Sequence, residues 1–127
     1  MTAILVVDDE PVVRDVLTKS LAGMGYDVAA ASDGVEALER MEDEKFDLIL
    51  SDWIMPRMTG VELCETLKGS ESSRDIPVIL LGFVPNSDGS GVGQDQSELF
   101  RKAGAVDYLR KPLRMDDLRT RLTMALE

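Results

Sequence analysis

Short apolar runs alternate along this chain with longer segments in which apolar residues recur at helical spacing. The first run, Ala3 to Val7, is entirely apolar and rich in β-branched residues, which is typical of a strand buried on both faces. The same pattern predicts further strands at Tyr26 to Ala31, Phe46 to Leu50, Pro77 to Leu81 and Val106 to Leu109. Helices are predicted at Pro11 to about Gly23, Gly34 to about Met41, Val61 to Lys68, Ser97 to Lys102 and Met115 to Leu126.

This alternation of strands and helices predicts an α/β fold with a five-stranded parallel sheet, covered by helices on both sides as a doubly wound (βα)5 unit. In such sheets, ligands bind beyond the carboxyl ends of the strands, where the strand order reverses. If the first strand is central, with the second and third on either side of it, Asp8, Asp9 and Asp52 converge at that edge.

Charged residues follow three of the predicted strands. Asp8, Asp9 and Glu10 follow the first, Asp52 the third, and Lys111 the fifth. Two carboxylates ~5 Å apart repel each other by roughly 3 kcal/mol at an effective dielectric constant near 20, and a hard divalent cation relieves that repulsion. Mg²⁺ prefers such oxygen ligands. The pattern therefore predicts a metal-assisted phosphoryl-transfer site.

Each acidic group also has a plainer interpretation. Asp8, Asp9 and Glu10 precede Pro11, and acidic residues are favoured at helix N-termini, where they cap the first turn. Asp52 precedes Met55-Pro56 and taken alone would be an ordinary turn residue. The occurrence of both groups together, with Lys111 at a third strand end, favours a site.

Composition limits the classes of function. The chain has 127 residues and 44% hydrophobic content, which predicts a single domain over residues 1–127. A net charge of −10 disfavours direct binding to nucleic acid or to an anionic membrane. Cys64 is the only cysteine, and we expect it to pack as a small hydrophobe. With no apolar stretch of membrane-spanning length and a strand almost at the N-terminus, a reducing cytoplasm is expected.

The chain resembles the receiver domain of two-component response regulators over essentially its whole length. Five segments in order carry the resemblance: the apolar run ending in Asp8-Asp9-Glu10-Pro11, D-G-V-E-A-L from Asp33, D-L-I-L-S-D-W-I-M-P-R-M-T-G from Asp47, I-P-V-I-L-L from Ile76 and A-G-A-V-D-Y-L-R-K-P from Ala103. Each segment alone is weak evidence, whereas all five in order are specific. The implied fold is flavodoxin-like with strand order 2-1-3-4-5.

The resemblance also implies roles for individual residues. Asp52 is expected to accept a phosphoryl group, while Asp9, Asp52 and the backbone carbonyl of Ile54 bind Mg²⁺ or Mn²⁺. Asp8 would support the metal through water, and Lys111 would contact the phosphoryl oxygens. Because the chain contains no histidine, the donor phosphohistidine must belong to a partner, which the family implies is a sensor histidine kinase or a histidine phosphotransfer protein. Whether the chain forms a homodimer stays open.

Gly82 departs from the family pattern. Receivers usually carry Thr or Ser directly after the fourth strand, and this chain has Gly82 there, followed by a Gly- and Ser-rich loop to Gln94. Ser87 or Ser90 could replace the missing hydroxyl only at an ordering cost. Tyr108, at the position of the family's switch aromatic residue, would then lack its usual trigger and serve mainly in packing. Signal output through the short Ser97 to Lys102 helix, the fifth strand and the last helix is therefore in question.

Three functions follow from these observations. The first is a phosphorylatable receiver that is not a turnover enzyme. The second is a pseudo-receiver that docks other proteins constitutively, which Gly82 favours and the intact acids disfavour. The third is a Mg²⁺-dependent aspartyl phosphatase, which is disfavoured because Ile54 stands where a second Asp would act as general acid.

Overall fold

The computed structural model describes residues 2–53, 55–82, 101–110 and 113–127. Four of the sequence predictions lie outside these ranges. They concern the carbonyl of Ile54, the loop that contains Ser87 and Ser90, most of the Ser97 to Lys102 helix, and Lys111.

A parallel sheet forms the centre of the described structure. Its strands are hydrogen-bonded in the order β2-β1-β3-β4-β5. The order confirms the predicted flavodoxin-like α/β fold, with β1 between β2 and β3. The strands are β1 (Ala3–Val7), β2 (Asp27–Ala31), β3 (Leu48–Asp52), β4 (Val78–Gly82) and β5 (Asp107–Arg110).

Helices cover both faces of the sheet. They are α1 (Pro11–Gly23), α2 (Gly34–Asp43), α3 (Gly60–Lys68) and α4 (Met115–Leu126), and residues 101–103 are also helical. Buried side chains of α1 and α4, such as Leu17 and Leu118, pack on one face, whereas Ala37 of α2 and Leu63 of α3 pack on the other. None of the helices in the described ranges is long and apolar enough to cross a membrane.

Two strand boundaries differ from the sequence prediction in a way that matters for the site. β3 continues past Leu50 to Asp52, because Asp52 still pairs with Leu81 of β4. β4 likewise includes Gly82, which pairs with Arg110. Gly82 is therefore the last residue of a strand, rather than the first residue of a loop as predicted.

Cys64 lies on α3 and is completely buried. Burial raises the pKa of its thiol to about 11, so the reactive thiolate is scarce at neutral pH. This environment agrees with the expected packing role. The extent of the domain, residues 1–127, stays a prediction.

Candidate metal centre

The strand register brings the predicted acidic residues together. Val7 at the end of β1 is paired with Ser51 of β3, so the next residues along the two strands, Asp8 and Asp52, follow neighbouring positions at the carboxyl edge. Since β2 and β3 lie on opposite sides of β1, this is also where the strand order reverses. The acids therefore lie where a doubly wound sheet binds its ligands.

Asp8, Asp9 and Asp52 form a compact carboxylate cluster. One carboxylate oxygen from each lies within 4.8 Å of the other two. Asp8 is completely buried and Asp52 is 7% exposed, whereas Asp9 is exposed to solvent. At this separation each ionised pair repels by roughly 3 kcal/mol at an effective dielectric constant of 20. The cluster consequently favours a bound cation.

Backbone hydrogen bonds orient the two buried carboxylates. The N–H of Glu10 donates to Oδ1 of Asp8 at 2.9 Å, and the N–H of Trp53 donates to Oδ1 of Asp52 at 2.9 Å. Arg14 of α1 donates to the backbone carbonyl of Asp8 at 2.7 Å. Main-chain groups and α1 thus hold the site in place.

The plainer interpretations of these acids account for only part of the described contacts. Glu10 is the N-cap residue of α1 but makes no side-chain capping hydrogen bond, and the first turn of this helix contains no acidic residue. Asp52 is a buried strand residue rather than a solvated turn residue. A local turn explains the hydrogen bond from the Glu10 N–H to Asp8, but neither turn formation nor helix capping explains why the three carboxylates converge.

The donor set suits a hard divalent cation. Mg²⁺ binds oxygen at about 2.0–2.1 Å, so two ligands on opposite sides of one ion are about 4.2 Å apart at most. One oxygen from each of the three carboxylates lies within 4.8 Å of the other two, so small movements of the side chains would bring them to a single ion. Of the other predicted site residues, Ile54 and Lys111 lie outside the described residues.

Gly82, Trp53 and Tyr108 pack together beside the acidic cluster. The rings of Trp53 and Tyr108 meet edge to face with centroids 5.2 Å apart, and the Tyr108 hydroxyl donates to the carbonyl of Gly82 at 3.2 Å. A Cβ atom at Gly82 would lie 3.1 Å from Cβ of Trp53. Burial raises the pKa of the Tyr108 phenol. Tyr108 thus has a defined packing position in this structure.

An ion pair beside the site was missed by the sequence analysis. Arg57, in the loop between β3 and α3, donates from Nε and Nη2 to the two carboxylate oxygens of Asp33 at 2.8 and 2.9 Å. Asp33 also caps α2 by accepting from the N–H of Glu36, and this bond, followed by the Arg57 contact, lowers the pKa of Asp33. Asp33 and Arg57 are far apart in sequence, so no local sequence pattern predicts their contact. In the structure, Arg57 is also marked by a left-handed backbone conformation within the P-R-M-T-G turn.

The doubly wound sheet places this chain among α/β proteins. Its acidic cluster lies at the sheet edge where the strand order reverses, and there it could hold a metal ion. A model of the response regulator receiver domain matches residues 4–123. The chain belongs to this family of two-component response regulator receiver domains. The resemblance noted in the sequence is therefore confirmed.

Curated relatives include response regulators of mycobacteria. Response regulator MprA of Mycobacterium tuberculosis (strain ATCC 25618 / H37Rv) is 38% identical over 123 residues, which cover 97% of this chain and 50% of the relative. The MprA of Mycobacterium avium (strain 104) is 37% identical with the same coverage. The chain therefore spans about half the length of the curated relatives it matches.

Solved structures share the fold along the whole chain. The chemotaxis protein CheY4 of Vibrio cholerae, crystallised at low pH, has a TM-score of 0.87 and 29% identity, covering 99% of each chain. The receiver domain of the sensor histidine kinase PA1611 from Pseudomonas aeruginosa PAO1, solved with a magnesium ion in its active-site cleft, has a TM-score of 0.82 and 30% identity, covering 98% of this chain and 97% of that one. Both likenesses agree with the predicted fold.

Proposed function

We propose that this chain accepts a phosphoryl group on Asp52 from a phosphohistidine on a partner protein, in a Mg²⁺-dependent reaction, and relays it as a conformational or docking signal. The observation that carries the proposal is the convergence of Asp8, Asp9 and Asp52 within 4.8 Å at the edge of the sheet where strand order reverses. The magnesium ion in the cleft of the PA1611 receiver supports the choice of metal.

The chemistry is a single transfer onto the protein itself. An oxygen of the Asp52 carboxylate forms the new P–O bond while the P–N bond to the donor imidazole breaks, and the imidazole nitrogen keeps the bonding electron pair. The Trp53 N–H holds the carboxylate of Asp52 in a fixed orientation. Asp9, Asp52 and the Ile54 carbonyl would hold Mg²⁺ directly and Asp8 would hold it through water, and the bound ion would neutralise charge on the phosphoryl oxygens. Lys111 is expected to contact the same oxygens.

The donor must come from another protein or domain, because the chain contains no histidine. We therefore propose a sensor histidine kinase or a histidine phosphotransfer protein as the partner. Two valines of α1, Val12 and Val16, are 75% and 51% exposed and lie one helical turn apart just after the acidic cluster. They offer this partner an exposed apolar contact on the helix that directly follows Asp8 and Asp9 in the chain. The reducing cytoplasm expected from the sequence remains part of the proposal.

Mass spectrometry after incubation with acetyl phosphate and Mg²⁺ tests the proposal directly. The expected result is one phosphoryl adduct per chain, formed only when the divalent cation is present. A protein that stays unlabelled under conditions that label another receiver domain would instead favour a pseudo-receiver that docks other proteins constitutively.

Replacing Asp9 should weaken metal binding. Asp9 is the exposed member of the cluster, and removing its carboxylate takes away one expected direct ligand. We expect Asp9→Ala to lower Mg²⁺ affinity more than about tenfold. Trp53, the only tryptophan, adjoins Asp52, so a Mg²⁺ titration followed by its fluorescence measures the affinity.

Glu10→Ala provides a matched control for this measurement. Glu10 is the adjacent exposed acid but does not belong to the cluster of carboxylate oxygens. Its removal lowers the local negative charge by the same amount, yet it should leave Mg²⁺ affinity within about twofold of the wild type. Equal affinities in the two variants would contradict the assignment of Asp9 as a ligand.

A pseudo-receiver that docks constitutively is the second candidate function. Gly82 brings no hydroxyl to the end of β4, and Tyr108 is packed against Trp53 and hydrogen-bonded to the Gly82 carbonyl. A switch requires that the phosphoryl group contact the two conformational states differently. The missing hydroxyl removes one such contact, and this favours weak switching.

Hydrogen exchange over residues 82–110 separates strong from weak switching. With beryllofluoride as the phosphoryl mimic, we expect only a small change in exchange around Tyr108, because Gly82 cannot donate to the mimic. The same measurement tests the expectation, made from the sequence alone, that the segment from Gly82 to Gln94 exchanges rapidly with and without the mimic. Large and localised protection would show that another group, such as Ser87 or Ser90, replaces the hydroxyl.

Gly82→Thr should strengthen the response in the same experiment, with Gly82→Ala as its control. Either substitution places a Cβ atom 3.1 Å from Cβ of Trp53, which must shift by a few tenths of an ångström. Only threonine adds the hydroxyl. A response that is equally altered in both variants would trace to the displaced Trp53 rather than to the hydroxyl.

A further inference from the structure

We propose that Arg57 is a positioning residue for the phosphoacceptor. Its ion pair with Asp33 holds the loop between β3 and α3 in a strained conformation and thereby sets the position of Asp52 relative to the other carboxylates. The inference rests on the proposed function, because it concerns how the same site is made ready for Mg²⁺ and for the phosphoryl group.

The backbone at Arg57 is unfavourable for a residue with a side chain. Its φ angle is +68°, and it is the only non-glycine residue with positive φ among the described residues. The N–H of Met58 donates to the carbonyl of Pro56 at 2.7 Å, around Arg57. A hydrogen bond of this span across a residue with positive φ is the signature of a γ-turn, which is rare and strained. Some other interaction must compensate for this conformation.

The compensating interaction is the two-pronged contact with Asp33. Nε and Nη2 of Arg57 each bond a different oxygen of this carboxylate, at 2.8 and 2.9 Å, and such paired geometry fixes direction as well as distance. Asp33 is itself nearly buried and is held by its capping bond to Glu36 on α2. The pair therefore ties the tip of the loop to the rigid start of a helix.

A second contact joins the loop to the start of α2. A Cβ atom built on Gly34 would lie 2.8 Å from Sδ of Met58, so the Met58 side chain occupies the space directly over this glycine. Arg57 and Met58 thus dock on two consecutive residues, Asp33 and Gly34. The conformation at Arg57 directs both side chains to the same helix end.

The first residue of α3, directly after the loop, lies against Asp52 itself. The N–H of Gly60 donates to the carbonyl of Trp53 at 2.7 Å, and a Cβ atom at Gly60 would fall 2.3 Å from the carbonyl oxygen of Asp52. This contact leaves no free space, so a loop movement that displaces Gly60 towards Asp52 must also displace Asp52. The ion pair at Arg57 therefore lies three residues before a direct contact with the backbone of the acceptor residue.

Arg57→Gly distinguishes positioning from simple stabilisation. Glycine adopts positive φ readily, so the substitution relieves the strain while it removes the ion pair, and the melting temperature should change little. The loop loses its anchor, however. We expect Mg²⁺ affinity, followed by Trp53 fluorescence, to fall about fivefold and the rate of labelling by acetyl phosphate to fall about tenfold. A pair that only stabilises the fold would leave both quantities unchanged in the folded variant.

Two further variants test the route of the effect. Asp33→Asn keeps a good N-cap for α2 but removes the charged partner, and its effect combined with Arg57→Gly should be clearly less than additive. Arg57→Lys keeps the charge but lacks the planar fork, so it should restore only part of the Mg²⁺ affinity. Additive losses in the double variant, or full activity with lysine, would contradict action through the two-pronged contact.

The outcomes separate this inference from the function on which it rests. A wild-type protein that binds Mg²⁺ and is labelled on Asp52, together with an Arg57→Gly variant that behaves identically, overturns the positioning role alone. A lower melting temperature with unchanged Mg²⁺ affinity in the folded variant does the same. A wild-type protein that neither binds Mg²⁺ nor accepts a phosphoryl group overturns both.

Discussion

Asp52→Asn should abolish formation of the phosphoryl adduct. Asparagine has nearly the same size and shape as aspartate, so it can keep the hydrogen bond from the Trp53 N–H and the packing of this buried position. Its amide is not a competent nucleophile toward phosphorus and is a poorer ligand than a carboxylate for Mg²⁺. We therefore expect labelling by acetyl phosphate to fall to background while the fold is retained.

Asp43→Asn is the matched control for this experiment. Asp43 is an exposed residue at the end of α2 and does not belong to the acidic cluster. Its substitution makes the same change in charge and chemistry, and labelling should remain at the wild-type level. Equal labelling of the Asp52 and Asp43 variants would show that another carboxylate is the acceptor, and peptide mapping of the adduct would locate it.

Gly60→Ala should destabilise the protein strongly and disturb the site. The added Cβ atom would lie 2.3 Å from the carbonyl oxygen of Asp52 and 3.0 Å from Cδ2 of Leu80. The first contact is with backbone, so it cannot be relieved by a side-chain rotation. Alanine is favoured over glycine by roughly 1 kcal/mol in a helix interior, but Gly60 is the first residue of α3, so this gain offsets little of the clash. A net loss of about 2–3 kcal/mol, or about 10 °C in melting temperature, therefore reports the clash.

Gly69→Ala at the other end of α3 serves as the control. Gly69 has φ of −83°, which suits alanine, and the nearest atom to its added Cβ would be 3.5 Å away. Its melting temperature should stay close to that of the wild type. The Gly60 variant should in addition bind Mg²⁺ more weakly, because the clash displaces Asp52. If both variants melt at the wild-type temperature, the close approach of α3 to Asp52 is incorrect.

Local sequence patterns predict most of the helices and strands of the fold. Ala3–Val7 and Met115–Leu126 were predicted with the bounds that the structure has, because a buried strand and an amphipathic helix each leave a regular apolar pattern. Errors arose where pairing with a neighbouring strand decides the boundary. β3 reaches Asp52 because Leu81 continues the ladder beside it, and this information lies in another segment of the chain.

The acidic cluster was predictable for a related reason. Parallel strands place their carboxyl ends at one edge, so acids that follow β1 and β3 must be neighbours there once the strand order is known. Asp8, Asp9 and Asp52 needed only the element pattern and this rule. Gly82 was noticed because a family pattern made its lack of a hydroxyl visible, although its packing against Trp53 was not foreseen.

The α/β class, the sheet edge on which the carboxylates meet and the expected chemistry follow from the amino-acid sequence alone, since they depend on periodicity and on residues at strand ends. The folded structure was needed to find the ion pair of Arg57 with Asp33, the packing of Tyr108 on Trp53 and the approach of Gly60 to Asp52. Those contacts depend on loop conformation and on side-chain direction. Neither leaves a periodic trace in the chain, because each is set by the element that packs against it.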